Sequence, residues 1–195
     1  MIDYINGIIT EKTPTYVVIE CAGIGYMINI SLNTYSHLPQ TQQPCKLLTH
    51  LQIKEDAHVL FGFSSAEERH MFRMLINVSG IGPSTAQMML SAMSVSELVS
   101  CIASGNAAAL QTIKGIGGKT AQRITIELKD KVAKIDVDVN NFSKIDNNLR
   151  AEALSALTSL GFVKTAAEKV VDKVISNSDG SLSVEDIIKQ SLKLL

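Results

Sequence analysis

The chain has 195 residues, 46% of them hydrophobic and 19% charged, with 12 Gly, 4 Pro, 3 Cys and no Trp. That length suits one medium domain or two to three small ones, and the composition excludes collagen-like, disordered and disulfide-scaffold classes. The formal net charge of −1 argues at first against a nucleic-acid partner, but the charge is unevenly placed. Residues 1–62 carry three Lys against five acids, a balance of −2; residues 63–135 carry eight Lys or Arg against five acids, +3; residues 136–195 carry seven against nine, −2. An anion-binding surface is therefore expected in the middle of the chain. No apolar run approaches the roughly 18 residues of a membrane span. Met1-Ile2-Asp3-Tyr4 lacks the basic start of a secretory signal, so neither membrane nor export is expected. Cys21, Cys45 and Cys101 are odd in number, and no His sits at a metal-ligand interval from them. They fit a reduced, cytoplasmic compartment with no bound metal or cofactor.

Taken in chain order, the first segment reads as β. Runs rich in Ile, Val and Tyr predict strands at 2–10, 16–21, 25–30, 45–53 and 59–63, with Thr13-Pro14-Thr15 and Ala22-Gly23-Ile24-Gly25 as turns. Five short strands suit a small closed barrel of the oligonucleotide-binding (OB) type over residues 1–63. Helical periodicity follows over 64–134. Ser64-Ser65-Ala66-Glu67 reads as a capping box before Met71, Phe72, Leu75 and Ile76, Pro83 suits a first helical turn, and Ser94-Val95-Ser96-Glu97 opens a helix towards Ala103. Residues 135–148 are rich in Asn and Asp and lack a core-forming period, as in a flexible linker. Three short helices are then predicted at 149–160, stopped by Gly161, at 165–176, ended by Asn177-Ser178-Asp179-Gly180, and at 184–195, capped by Ser183. Residues 149–195 make a three-helix bundle with little spare stability, suited to docking. The fold class is α+β and multidomain.

The most informative feature is an internal repeat with a 35-residue offset. Val78-Ser79-Gly80-Ile81-Gly82 leads into Thr85-Ala86-Gln87, and Ile113-Lys114-Gly115-Ile116-Gly117 leads into Thr120-Ala121-Gln122. In such a unit a helix ends, two glycines allow a tight elbow, and a second helix starts at once while the central Ile plugs between the two. The first amides of the second helix are left without partners. Helix N-termini carry orphan donors and partial positive charge, so they bind phosphate, and a glycine lets a sugar–phosphate chain come close. In the second copy Lys119 and Arg123 lie one turn apart, on the face expected to approach the same phosphates, and Thr120 adds a hydroxyl.

Each copy resembles a helix-hairpin-helix motif, which binds DNA backbone without reading sequence. Two tandem copies behind a barrel, with a linker and a three-helix module following, resemble the RuvA family of Holliday-junction-binding proteins. The segment Thr49-His50-Leu51-Gln52-Ile53-Lys54-Glu55-Asp56-Ala57 with Leu60-Phe61-Gly62-Phe63 is similar to that family too. The resemblance implies a cytoplasmic, non-catalytic homotetramer, single or double, that holds four-way junctions open in recombination, repair and the SOS response to DNA damage. It implies a RuvB-like hexameric ATPase as motor partner and a RuvC-like resolvase as a further one. The implied DNA contacts are Ser79, Gly80, Ile81, Gly82 and Ser84 in the first copy, and Lys114, Gly115, Ile116, Gly117, Gly118, Lys119, Thr120 and Arg123 in the second. Glu55 and Asp56 would form an acidic pin that repels phosphates at the crossover. Leu154, Leu157, Leu160, Phe162 and Val163 would dock the motor, although the sequence does not divide this set between bundle core and interface.

Rival chemistries fit less well. Gly118-Lys119-Thr120 ends like a phosphate-binding P-loop, but Ile113 stands where that loop needs Gly. Gly23-Ile24-Gly25 shares the three letters of the repeat but lies between strands and reads as a hairpin. A helix-hairpin-helix nuclease or glycosylase would need an acidic metal cluster or a catalytic Lys/Asp beside the second elbow; Glu127 and Asp130 alternate there with Lys129 and Lys131 as helix-surface charges. An OB-type single-strand binder would need stacking aromatics, for which Tyr4, Tyr16 and Tyr26 are the candidates, and a basic groove. His37, His50, His58 and His70 are scattered and form no triad, and Met88, Met89 and Met93 read as filler of helix faces. The chain also departs from the resembled family, since Tyr4, Ser84 and Gly118 occupy places that are basic in several members. The first copy thus has no cation in its turn and is expected to bind phosphate more weakly, and with less salt sensitivity, than the second.

Overall fold

Inward Ile and Val at alternate positions close a β-barrel in the computed structural model, which describes residues 2–140, 145–176 and 183–194. Its strands are β1 (Tyr4–Lys12), β2 (Tyr16–Cys21), β3 (Ile24–Ile30), β4 (Pro44–Ile53) and β5 (His58–Phe63). They close in the order β1-β2-β3-β5-β4, with β3 and β5 parallel and the other pairs antiparallel. Ile5 and Ile9, Val17 and Ile19, Ile28 and Ile30, with Leu47 and Leu60, fill the interior. Burying each such side chain stabilises by about 1.5–3 kcal/mol. Between β2 and β3 the chain turns at Ala22 and Gly23, both at positive φ (52° and 81°), the conformation a two-residue hairpin loop demands.

A six-residue helix, α1 (Leu32–His37), joins β3 to β4 and was not predicted. It is capped by Ser31, whose hydroxyl accepts from the Thr34 amide. The next helix, α2 (Ala66–Ile76), is capped one residue later than its sequence pattern implies: Ser65, not Ser64, accepts from the Glu68 amide. Glu68 does not complete a capping box. Its carboxylate is fully buried and accepts from the hydroxyls of Ser31 and Thr34, while the Ser64 amide donates to Thr34 Oγ1 at 3.1 Å. Barrel and helices are thus joined through a hydrogen-bonded carboxylate. Beside it, the Phe72 ring packs on Phe61, Phe63 and His50, with centroids 5.1, 4.9 and 5.4 Å away.

The helices α3 (Pro83–Ala92), α4 (Val95–Ala103) and α5 (Ala107–Gln111) follow, then the long α6 (Gly118–Asn140). Pro83 opens α3 as expected, and Ser94 with Glu97 forms a complete capping box on α4. Residues up to Ala133 make one compact unit and those from Lys134 a second. The second holds α7 (Ile145–Ser159), α8 (Lys164–Ser176) and α9 (Val184–Leu192), with Ser183 capping α9 and Ala153, Leu157, Ala167, Val171, Val174 and Ile187 in the core. Helix runs into both ends of the linker expected over 135–148: α6 continues to Asn140 and α7 begins at Ile145, while residues 141–144 lie outside the described residues. No Gly or Pro occurs at residues 135–140 or 145–148, so nothing in the sequence there breaks these two helices. The predicted turn at Asn177-Ser178-Asp179-Gly180 also lies outside the described residues, and α9 ends at Leu192 rather than at the chain end.

Candidate nucleic-acid interface

The two repeat copies fold into the same elbow, hydrogen bond for hydrogen bond. Val78 and Ile113 donate back to Leu75 and Leu110 at 3.0 and 3.2 Å, and Ile81 and Ile116 donate to Val78 and Ile113 at 3.0 and 3.1 Å. Ala86 and Ala121 then begin the helical ladder on Gly82 and Gly117 at 3.0 and 2.9 Å. Val78, Ile81, Ile113 and Ile116 are buried, so each central Ile is the plug its sequence position implies. Ser79, Gly80, Gly82, Ser84, Lys114, Gly115, Gly117 and Lys119 are exposed, and Gly118 and Thr120 are half-buried. The amides of Ser84 and Thr85, and of Gly118, Lys119 and Thr120, have no acceptor among the described residues. Each elbow therefore ends in a row of bare donors at the positive end of a helix.

The glycines of each elbow answer two different demands. Gly80 and Gly115 sit at φ of +93° and +90°, where a side chain is strained. Gly82 has an ordinary φ of −87°, and a Cβ built on it or on Gly117 would meet no atom within 4 Å. Neither conformation nor internal packing requires glycine at Gly82. A partner outside the chain that must come close to the backbone would require it.

The side chains correct one expectation. Arg123 does not extend over the second elbow alone: its Nη1 donates to the Ser79 carbonyl of the first elbow at 3.0 Å, with Glu127 3.9 Å from its Nε. It reaches there because α6 passes beside the first copy, a tertiary placement that no local pattern records. A cleft of about 150 Å³ also opens between the barrel and the first elbow, lined by Asn29, Gln52 and Lys54 on one side and Ser84 and Gln87 on the other. Gln87 holds the cleft together, donating from Nε2 to the carbonyls of Ile30 (2.5 Å) and Thr15 (3.3 Å). Glu55 and Asp56 occupy the exposed tip between β4 and β5, which closes through the Lys54 amide on the Ala57 carbonyl at 2.8 Å. Among the described residues neither carboxylate has a hydrogen-bond or ion-pair partner.

In the C-terminal bundle the apolar set divides. Leu154 and Leu157 are buried against α8 and α9, so these two are core and not docking surface, whereas Leu160 and Val163 are 62% and 70% exposed and Phe162 packs partly on the core. They separate because α7 ends at Ser159, which carries Leu160 and Val163 past the bundle.

The stacking aromatics of a single-strand binder are otherwise engaged. Tyr26 packs on the barrel core, and the Tyr16 hydroxyl donates to Glu11 at 2.5 Å, a bond that pushes its pKa above the usual tyrosine value. The Tyr4 ring carries Lys46 Nζ 4.3 Å from its centroid. Among the described residues no three His, Cys, Asp or Glu side chains could hold a metal together. No single described helix is long and apolar enough to cross a membrane.

A closed five-stranded barrel joined to paired helix-hairpin-helix elbows defines a class of protein built to grip nucleic-acid backbone. Comparison with known proteins narrows the class. The family models "RuvA N terminal domain", "SAM-like Helix-hairpin-helix tandem" and "RuvA, C-terminal domain" match residues 1–62, 72–130 and 148–195. The chain is 51% identical over 195 residues to the Holliday junction branch migration complex subunit RuvA of Christiangramia forsetii and 50% identical over 196 residues to that of Flavobacterium psychrophilum, each pair aligned over 100% of both chains. The chain belongs to the RuvA family.

Proposed function

We propose that this protein binds four-way (Holliday) DNA junctions by their shape, independently of sequence, and serves as the junction-holding subunit of a branch-migration complex. Its domains are a barrel (1–63), a tandem helix-hairpin-helix domain (64–134), a connecting segment (135–148) and a motor-docking bundle (149–195). The reading is carried by the bare amides of both elbows beside Gly82 and Gly117, glycines that the fold around them leaves free to carry a side chain. Ser79, Gly80, Ile81, Gly82 and Ser84 form one backbone grip and Lys114 to Thr120 the other, with Arg123 reaching from α6 to the first. A protomer of near-zero net charge binds weakly alone, so affinity comes from four copies engaging one junction. Each ring is a homotetramer, single or doubled across the DNA, with Glu55 and Asp56 of each copy at its centre repelling the crossover phosphates. Leu160, Val163 and Phe162 dock a RuvB-like hexameric ATPase, a RuvC-like resolvase acts on the same junction, and all of this takes place in the cytoplasm. The subunit itself does no catalysis.

A mobility shift comparing four-way junction, duplex and single strand at two salt concentrations tests the reading. It requires the junction to bind most tightly at both concentrations, without magnesium-dependent cleavage. Preference for single strands favours the OB-type alternative, and cleavage favours the nuclease.

A further inference from the structure

The first elbow carries no basic residue of its own, with Ser79 and Ser84 flanking its glycines, yet two cations from elsewhere in the fold converge on it. Lys54, at the end of β4, lines the cleft that Ser84 closes from the other side. Among the described residues its Nζ makes no ion pair or hydrogen bond, although Glu55 and Asp56 are its neighbours in sequence. Arg123 reaches over from α6, and its bond to the Ser79 carbonyl places guanidinium charge on the elbow while satisfying an acceptor there that would repel a phosphate. Gln87 clamps α3 to the barrel at two carbonyls and lines the same cleft as Lys54 and Ser84, so the cleft walls are tied together.

We propose that Lys54 is a further DNA-binding residue, neutralising a backbone phosphate at the first elbow next to the one that Arg123 meets. This rests on the junction reading above and goes beyond it. The first elbow is then as salt-sensitive as the second, contrary to what its own sequence implies, because the cations lie on β4 and α6 instead of within the repeat. Barrel and helices together line the phosphate path at the first elbow, so the barrel takes part in binding as well as holding the acidic tip.

Junction binding by the full-length protein, measured by fluorescence anisotropy over a range of salt concentrations, tests this. Each phosphate that a Lys or Arg neutralises contributes about 0.9 to the slope of log affinity against log salt on duplex arms. K54Q is expected to lower that slope by about one for each engaged protomer. K54R, which keeps the charge, is expected to hold the wild-type slope, and K54Q combined with K119Q to lose both contributions additively, since the K119Q deficit lies at the other elbow. A K54Q slope equal to wild type overturns the proposal, as does a K54R slope as low as that of K54Q. Lys54 is exposed, so an unchanged melting temperature in K54Q confirms that the readout is binding. If the wild type fails to prefer four-way DNA, the junction reading falls and this inference with it; if it prefers the junction and K54Q behaves normally, the inference falls alone.

Discussion

Gly80 and Gly82 sit two residues apart, and substituting each by alanine should separate folding from binding. At Gly80 a φ of +93° makes any side chain strained, at about 1–2 kcal/mol. Gly80→Ala should therefore lower the melting temperature by several degrees. Gly82 adopts an extended conformation with open space around the missing Cβ, so Gly82→Ala sacrifices only the N-cap preference, less than about 1 kcal/mol. On the proposed reading its methyl group stands in the path of the sugar–phosphate chain, and junction affinity should fall by about tenfold, roughly 1.4 kcal/mol. Thermal melts and anisotropy on both variants check this; a Gly82→Ala protein that binds like wild type contradicts the close-approach role. These elbows were legible in the sequence because a short motif with fixed spacing dictates its own conformation. The destination of Arg123 was not, since its partner Ser79 lies 44 residues away and depends on how α6 passes the first copy.

At the scale of elements, the joint between barrel and helices turns on one buried carboxylate. Glu68 accepts hydroxyls from Ser31 and Thr34, which lie 37 and 34 residues away in sequence, and from Ser64 nearby. Glu68→Ala leaves these donors buried without an acceptor and should destabilise the unit by about 1–3 kcal/mol per unsatisfied group. Denaturant unfolding measures that loss; a variant of wild-type stability would show that water replaces the carboxylate. The same network explains why α1 escaped sequence reading. Six residues offer no apolar stripe, and the helix is held by its Ser31 cap and by contacts that come from α2. The strands were legible to within two residues because period-two alternation is local, whereas the cap of α2 shifted by one because two adjacent serines offer the same side chain.

For the whole molecule, an almost neutral chain conceals a division of labour: a positive middle, an acidic barrel tip and a terminal bundle with a small apolar face. Leu160 and Val163 lie outside the bundle core and Leu157 inside it. Leu160→Asp with Val163→Asp should leave melting and junction binding unchanged and abolish capture of a RuvB-like motor, whereas Leu157→Asp should unfold the bundle. Circular dichroism with a pull-down on purified motor separates these outcomes, and undiminished capture by the double variant would place the docking face elsewhere. The distinction was not legible beforehand, since the helical spacing that places Leu154 and Leu157 inward also runs on to Leu160; only the end of α7 at Ser159 parts them.

The ladder between β4 and β5 runs unbroken to its last pair, Ile53 with His58, and the chain then reverses through Glu55 and Asp56. An antiparallel arm of this kind works as a ruler. Adding two residues to each strand preserves which side chains face inward and carries the two carboxylates about 7 Å further out, at roughly 3.3 Å per residue. Adding one to each turns them to the opposite side. The reach of this paired negative charge is thus a length that can be graduated, independently of the spacing between the elbows.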